Sequence, residues 1–461
     1  MFKVSRATRL FTTIAILLSG LSGTVVAQQH FAGSLPDGAT YVIDVPGNWN
    51  KQLLLYSHGY VTPGSPNPAY DYGDPSTGYY LFEAGYAFAG SSYATTGWAV
   101  QQALPDQIAT LDLFETLVGT PIQTIAWGHS MGGLITAALV QQYPSRFSAG
   151  LPMCGVVAGG VGFWNEALDA AFAFNTLVAG NSLQVVNITN PTQNYDSAVS
   201  FLGAAQSTPQ GQARIALVAA LADIPGWVDP ASPEPASTDY ASQEVNQFIW
   251  LANVDFLFPF YLRTELESRA GGNPSFNTGV DYKKQLQHSR DHAEVLALYT
   301  AAGLKLNADL TKLNNATRIA ADPNALTYLT DNIIFDGQLS VPVLSLHTTG
   351  DGLVPVEDEN AYSTVAREAG NSSLLRETFV HRAGHCEFTP AETIAAFETL
   401  NTRLRLGQWL GLTSPQLNAE AAVLGPAYNY LDLNGTIVTT APQFLNYKPL
   451  QFLRVYDAFT H

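Results

Sequence analysis

Ile122-Gln-Thr-Ile-Ala-Trp-Gly128-His-Ser130-Met-Gly132-Gly-Leu134-Ile-Thr-Ala-Ala-Leu-Val-Gln-Gln142 is the stretch on which the reading of this chain turns. An apolar run, Ile122–Trp127, reads as a buried strand. A run of good helix formers follows from Leu134 to Gln142. Between them stands Gly128-His-Ser130-Met-Gly132, the G-x-S-x-G pattern. In a strand-to-helix setting it holds a serine on a strained turn with the hydroxyl exposed. The glycines are required because a sharp turn packed against its neighbours leaves no room for a Cβ.

Working outward, the same alternation continues on both sides. Upstream, Asp37-Gly38 is a hairpin signal. Lys51–Ser57 reads as a buried strand ending in His58-Gly59-Tyr60, followed by a short helix near Gly78–Ala84 and a strand at Tyr86–Gly90. Pro105–Val118 has helical periodicity, and Ala149–Cys154 is a further strand. Strands alternating with helices predict an α/β domain with a doubly wound, mostly parallel sheet. The alternation then stops. Residues 156–335 hold helical runs at Trp164–Val178, Ala213–Ala222, Gln243–Arg269 and His292–Ala301, and almost no strand. They are read as a large helical cap inserted before the acid-bearing strand. The sheet resumes at Val341–His347 and Leu375–His381, followed by a helix over Ala391–Leu406. The expected organisation is a signal peptide over 1–27, core over 28–155, cap over 156–335, core over 336–410 and a C-terminal extension over 411–461.

A serine hydroxyl needs a neighbouring base, usually a histidine steadied by a carboxylate. Asp351, in Gly350-Asp351-Gly-Leu-Val-Pro355, stands just beyond one strand, with Glu357 and Asp358 as alternative acids. His385, in Ala383-Gly384-His385-Cys386, stands beyond the last strand and outranks His381, which lies within the strand run. His347, inside a strand, reads as a core or supporting histidine. Ligands gather at the carboxyl ends of strands in open α/β sheets, so Ser130, Asp351 and His385 should meet there. The anion that develops on a carbonyl oxygen needs donors. The amide of Met131, at a helix N-terminus, supplies one, and the loop at His58-Gly59-Tyr60 should supply the other, from Tyr60.

Together, Gly128-His-Ser-Met-Gly132, His58-Gly59, Gly350-Asp351-x-x-Val-Pro355 and Gly384-His385 resemble the α/β-hydrolase superfamily. The resemblance covers about 28–155 and 336–410. It implies the α/β-hydrolase fold and a covalent acyl-enzyme mechanism without a cofactor, most readily on carboxylic esters. Peptide or amide hydrolysis and acyl transfer stay open as alternatives. A cap-gated aminopeptidase would need an amine anchor such as Glu265 or Glu267. The only two cysteines, Cys154 and Cys386, stand at the active-site edge of the sheet. An even count in a secreted chain suggests a disulfide pinning the His385 loop, with two free thiols as the alternative. A cysteine directly after the histidine also resembles tannase and feruloyl-esterase-type enzymes. There its partner precedes the serine, a place held here by His129.

The rest of the chain bounds partners. Lys3, Arg6 and Arg9 precede a short apolar run, Leu10–Leu18, and Val25-Val26-Ala27 offers a cleavage point, the features of a secretory signal peptide. Its removal takes three of the 21 basic residues and leaves 38 acidic against 18 basic, a net charge of −20. Such a surface repels phosphate backbones and anionic membranes, so neither nucleic acid nor membrane insertion is expected. The expected partner is a small-molecule or polymer-borne ester, and the expected location is extracellular. Sequons at Asn187, Asn315, Asn371 and Asn434 could carry glycans in a glycosylating host. His288 and His292 are spaced as metal ligands on a helix but lack a third. There is no H-E-x-x-H, P-loop or dinucleotide fingerprint. Tyr79, Tyr80, Tyr93 and Trp98 follow the early strands; Tyr93 and Trp98 are candidates for the substrate pocket.

Overall fold

The computed structural model describes residues 29–456; the segment read as a signal peptide lies outside the described residues. An antiparallel hairpin opens the fold, β1 (Gln29–Ser34) and β2 (Thr40–Val45), with Gly38 at φ 99° in its turn. Then come β3 (Gln52–Ser57), α1 (Pro75–Glu83), β4 (Ala87–Ser91), α2 (Val100–Leu117), β5 (Gln123–His129), α3 (Met131–Gln142) and β6 (Ala149–Met153). After β6 the described chain is helical through α4 (Gly159–Leu177), α5 (Pro191–Gln206), α6 (Pro209–Ala220), α7 (Tyr240–Trp250), α8 (Arg263–Ala270), α9 (Tyr282–His288), α10 (His292–Ala301), α11 (Leu306–Asn315) and α12 (Pro323–Asn332). The sheet returns with β7 (Val343–Gly350), α13 (Glu357–Glu368), β8 (Leu375–Ala383) and α14 (Pro390–Leu406). The last part holds α15 (Ser414–Val423), a hairpin of β9 (Tyr430–Leu433) and β10 (Thr436–Thr439), and a two-residue strand β11 (Phe444–Leu445).

Nine strands form one sheet in the order β1-β2-β4-β3-β5-β6-β7-β8-β11. From β4 to β8 every neighbouring pair is parallel; β1, β2 and β11 run antiparallel at the edges. Alternate residues of β3 go to opposite faces: Leu53 and Leu55 join Ala87, Ala89 and Ala126, whereas Leu54 and Tyr56 join Phe88, Ile125 and Trp127. Both faces are buried, so the central strands read as continuous apolar runs.

Two expectations meet a different local structure. Helix α2 begins at Val100, five residues before Pro105, which sits inside it. A proline there forfeits the bond to the carbonyl four residues back, and burial of Val100, Ala103, Leu104, Leu111 and Phe114 offsets that loss. The single helical run expected over 243–269 is two α-helices separated by π-helical turns at Leu251–Asp255 and Phe258–Leu262. Pro259, at the start of the second turn, cannot donate to the carbonyl of Asp255, and the helix widens around it.

The inserted helices have an apolar cluster of their own, including Leu168, Phe174, Leu202, Leu217, Phe256 and Tyr299. Polar ties connect them to the sheet. Glu265 accepts from the Trp98 amide at 3.0 Å, and Arg269 donates to Thr96 O and Gln102 Oε1 at 2.8 and 2.9 Å. Arg290 pairs with Glu357 of α13. From the far end of the chain Arg454 reaches Asp169 of α4, and donates to Phe276 O at 2.8 Å. Among the described residues no helix is long and apolar enough to cross a membrane.

Candidate active site

Ser130 stands between β5 and α3 with φ 60° and ψ −126°, a conformation costly to any residue with a side chain and kept only where its surroundings enforce it. Here the enforcement is close packing. A Cβ on Gly132 would lie 2.0 Å from Ser57 O, one on Gly128 2.4 Å from the same oxygen, and one on Gly133 2.6 Å from the Gly155 Cα. The Ser130 amide donates to Met153 O at 3.0 Å, tying the turn to β6.

Asp351 and His385 follow β7 and β8 at the same edge of the sheet. His385 Nε2 lies 2.8 Å from Ser130 Oγ, and its Nδ1 lies 2.7 Å from Asp351 Oδ2. Asp351 is 1% exposed, and its Oδ1 accepts from the amides of Leu353 and Val354, both at 3.0 Å. Burial alone would raise the Asp351 pKa, but the charge of His385 and hydrogen bonds from His347 and His385 hold it below the usual carboxylate value. The alternative acids point elsewhere: Glu357 pairs with Arg290, and Asp358 accepts from the Ala158 amide at 3.1 Å. His381 lies on the surface, 3.4 Å from Glu234.

Met131 is the first residue of α3, where a helix leaves its amide without an intrahelical acceptor. The 58–60 loop packs against the serine: a Cβ on Gly59 would lie 3.3 Å from Ser130 Cβ and 3.7 Å from Oγ. Tyr93 and Trp98 are both buried. The Tyr93 hydroxyl donates to His58 O at 3.0 Å and its ring stacks on His58 with centroids 4.0 Å apart, so it shapes the 58–60 loop from behind. Trp98 stacks on Phe163. The cavity beside Asp351 is lined by Phe163 and Phe258, with Leu353 on the core side and Glu166 and Asp255 from the insertion. Burial holds the Glu166 and Asp255 carboxyls well above the usual range. Phe258 also meets the Tyr60 ring, 5.6 Å away. Neither proposed amine anchor is free: Glu265 is engaged by Trp98 and Arg269, and Glu267 accepts from the Asn187 amide at 2.8 Å.

The His385 loop is fastened on several sides. Cys154 and Cys386 form a disulfide with Cα atoms 5.3 Å apart, joining the end of β6 to the loop. Thr348 Oγ1 donates to Gly384 O at 2.7 Å, and Arg382 Nη1 to Glu387 O at 2.8 Å. Arg382 is itself buried in a two-pronged pair with Glu392, at 2.6 and 3.0 Å. Sequence reading missed this pair. The signal was present in Thr389-Pro-Ala-Glu392, a capping box in which Glu392 also accepts from the Thr389 amide at 2.8 Å. The one group of three candidate metal ligands among the described residues is Cys154, His385 and Cys386, and its two sulfurs are already bonded to each other.

The chain is 30% identical over 444 residues to an o-phthalyl amidase of Xanthobacter agilis, covering 88% of this chain and 96% of the amidase. Among solved structures, feruloyl esterase B from Aspergillus oryzae aligns with a TM-score of 0.40 at 14% identity, over 83% of this chain and 81% of that one. An acylaminoacyl peptidase aligns with a TM-score of 0.35 at 11% identity over 77% of this chain, which spans 37% of the peptidase. No protein-family model matches. By its sheet and by its extended likeness to the amidase, the chain belongs to the α/β-hydrolases, in the family that includes that enzyme.

Proposed function

We propose that the protein is a serine hydrolase that cleaves carboxylic esters, and amides of the same acids, through an acyl-enzyme. The observation that carries this reading is the unbroken line of hydrogen bonds from Ser130 Oγ through His385 to Asp351. Ser130 Oγ attacks the carbonyl carbon as His385 Nε2 takes its proton, and Asp351 keeps the imidazole turned for the transfer. The amides of Met131 and Tyr60 receive the oxyanion. His385 then protonates the leaving alcohol or amine, and water, activated by the same nitrogen, releases the acid. Phe163 and Phe258 give aromatic walls to a cavity that reaches Gly352 and Leu353, next to Asp351 in the chain.

The likeness to an o-phthalyl amidase favours amides of an aromatic acid as a second substrate class. The inserted helices serve as the cap that selects the substrate. Secretion after cleavage near Ala27 accords with the disulfide, which belongs to an oxidising compartment.

Matched p-nitrophenyl esters and anilides of benzoic, o-carboxybenzoic and aliphatic acids, turned over by wild type and Ser130→Ala, test the reading. Loss of at least about 10³-fold in kcat for the variant is expected. Equal rates in both proteins would reduce Ser130 to a structural turn.

A further inference from the structure

Beneath Asp351 lies a group that the proposed reaction does not itself use. His347, near the end of β7, is wholly buried, and so is Glu359 of α13. Its Nδ1 lies 2.9 Å from Glu359 Oε1; its Nε2 lies 2.9 Å from Val354 O and 3.6 Å from Asp351 Oδ2. A carbonyl oxygen has no hydrogen to give, so Nε2 must carry one. Nδ1 in turn faces a carboxylate oxygen, whose neighbour Oε2 accepts from Ser345 Oγ at 2.7 Å. With Nδ1 donating to that carboxyl as Nε2 donates to the carbonyl, the ring has the hydrogen-bond pattern of an imidazolium.

We propose that His347 is a fixed imidazolium and a positioning residue for Asp351: it keeps that carboxylate ionised and aimed at His385, and it sets the lower pH limit of activity. The proposal rests on Ser130, His385 and Asp351 being the reacting groups.

The surrounding charges support it. Four carboxyl groups face the ring: Asp351 after β7, Asp358 and Glu359 on α13, and Glu377 on β8. Burial raises Asp358 well above its usual range and Glu377 to about 8, so neither offers a dependable negative charge near neutrality. Glu359 and Asp351 stand one on each side of the ring, 2.9 and 3.6 Å from its nitrogens. Burial opposes a charge on His347, but hydrogen bonds and attraction to these two carboxylates override it and hold its pKa well above the ordinary value.

Removing the positive charge has one sign on both neighbours. Asp351 would protonate at higher pH, and so would His385, whose other titratable neighbours are His129, pushed down to about 4, and Glu387, pushed up by burial. Either change disables the base at the acid end of the profile.

The direct test is nitrogen-15 NMR of the histidine-labelled protein, with His347 assigned by its loss in His347→Gln. Protons on both ring nitrogens from pH 5 to 9 are expected; a bare nitrogen anywhere in that range overturns the proposal. The kinetic test is the pH profile of kcat/KM on a p-nitrophenyl ester for wild type, His347→Gln and Glu359→Gln. The second variant keeps one acceptor oxygen, for His347 or for Ser345, and removes the negative charge that favours a proton on His347, so it serves if the first does not fold. The acid limb should rise by about one pH unit in each, so that the loss at pH 5.5 exceeds the loss at pH 9 by about tenfold. A loss equal at all pH values would make His347 mere packing and overturn its electrostatic role. Activity surviving in Ser130→Ala would overturn the catalytic reading instead, and the protonation state of His347 is measured independently of it.

Discussion

The sequence pointed to Ser130, Asp351 and His385 because each follows an apolar strand and has a glycine within two positions. That pattern marks the places where a chain must turn sharply at the edge of a sheet. The glycines themselves carry a prediction. Gly132→Ala would drive a methyl group into Ser57 O of the neighbouring strand. Backbone cannot yield as a side chain does, so a loss of about 3 kcal/mol or failure to fold is expected in urea titrations. Gly38→Ala is the comparison: its φ of 99° is strained for alanine, but nothing lies within 4 Å of the added carbon, and a cost of about 1–2 kcal/mol is expected. What stayed illegible was partnership across distant segments. No spacing rule connects Arg382 to Glu387 O, or His347 to Glu359, because each contact depends on how a loop and a helix are set against a strand.

Among the elements, the parallel strands of the sheet were found to within about three residues, whereas β11, α5, α9, α11, α12, α13 and α15 were not anticipated. Several of the helices share a beginning. Asp74-Pro75, Asn190-Pro191, Thr208-Pro209 and Thr389-Pro390 each place a capping side chain before a proline at the first helical position, and Asp322-Pro323 has the same order without the side-chain cap. Pro at that position loses no helical bond and is preset for the helix, a signal that the sequence reading did not use for α5 and α12. The disulfide raises a prediction on the same scale. It joins residues 232 positions apart and anchors one side of the His385 loop, while Thr348 and Arg382 anchor the others. Replacing Cys154 and Cys386 together by alanine should lower stability by about 2–5 kcal/mol, read by thermal unfolding. Because the other fastenings remain, kcat should fall but not vanish. Unchanged melting and turnover would show the bridge to be dispensable.

Over the whole molecule, acidity and burial meet in a way composition alone did not reveal. The negative charge was read as a property of the surface, yet many carboxyls lie inside. Burial raises Asp106, Glu244 and Asp291 to about 7 and Glu294 to about 9. These groups stay protonated in the fold at pH values where the unfolded chain has released its protons. Their contribution is therefore greatest near pH 4 and declines as pH rises through their folded values. Asp351 has the opposite sign, its lowered pKa adding stability above about pH 4 that is lost on acidification. The raised groups outnumber it, so the melting temperature should be higher at pH 5.5 than at pH 8.5, and folding at pH 6 should take up protons from the buffer. A melting temperature that climbed toward pH 8.5 would refute this balance.

Arg454 gives the molecule a sense of time as well as of place. The insertion it holds through Asp169 is written between residues 159 and 332, but the guanidinium that fastens it is more than a hundred residues further along. A ribosome working from the N-terminus therefore releases these helices long before this fastening exists. A product cut short before residue 454 would carry Ser130, Asp351 and His385 and still lack the Arg454 tie on its inserted helices.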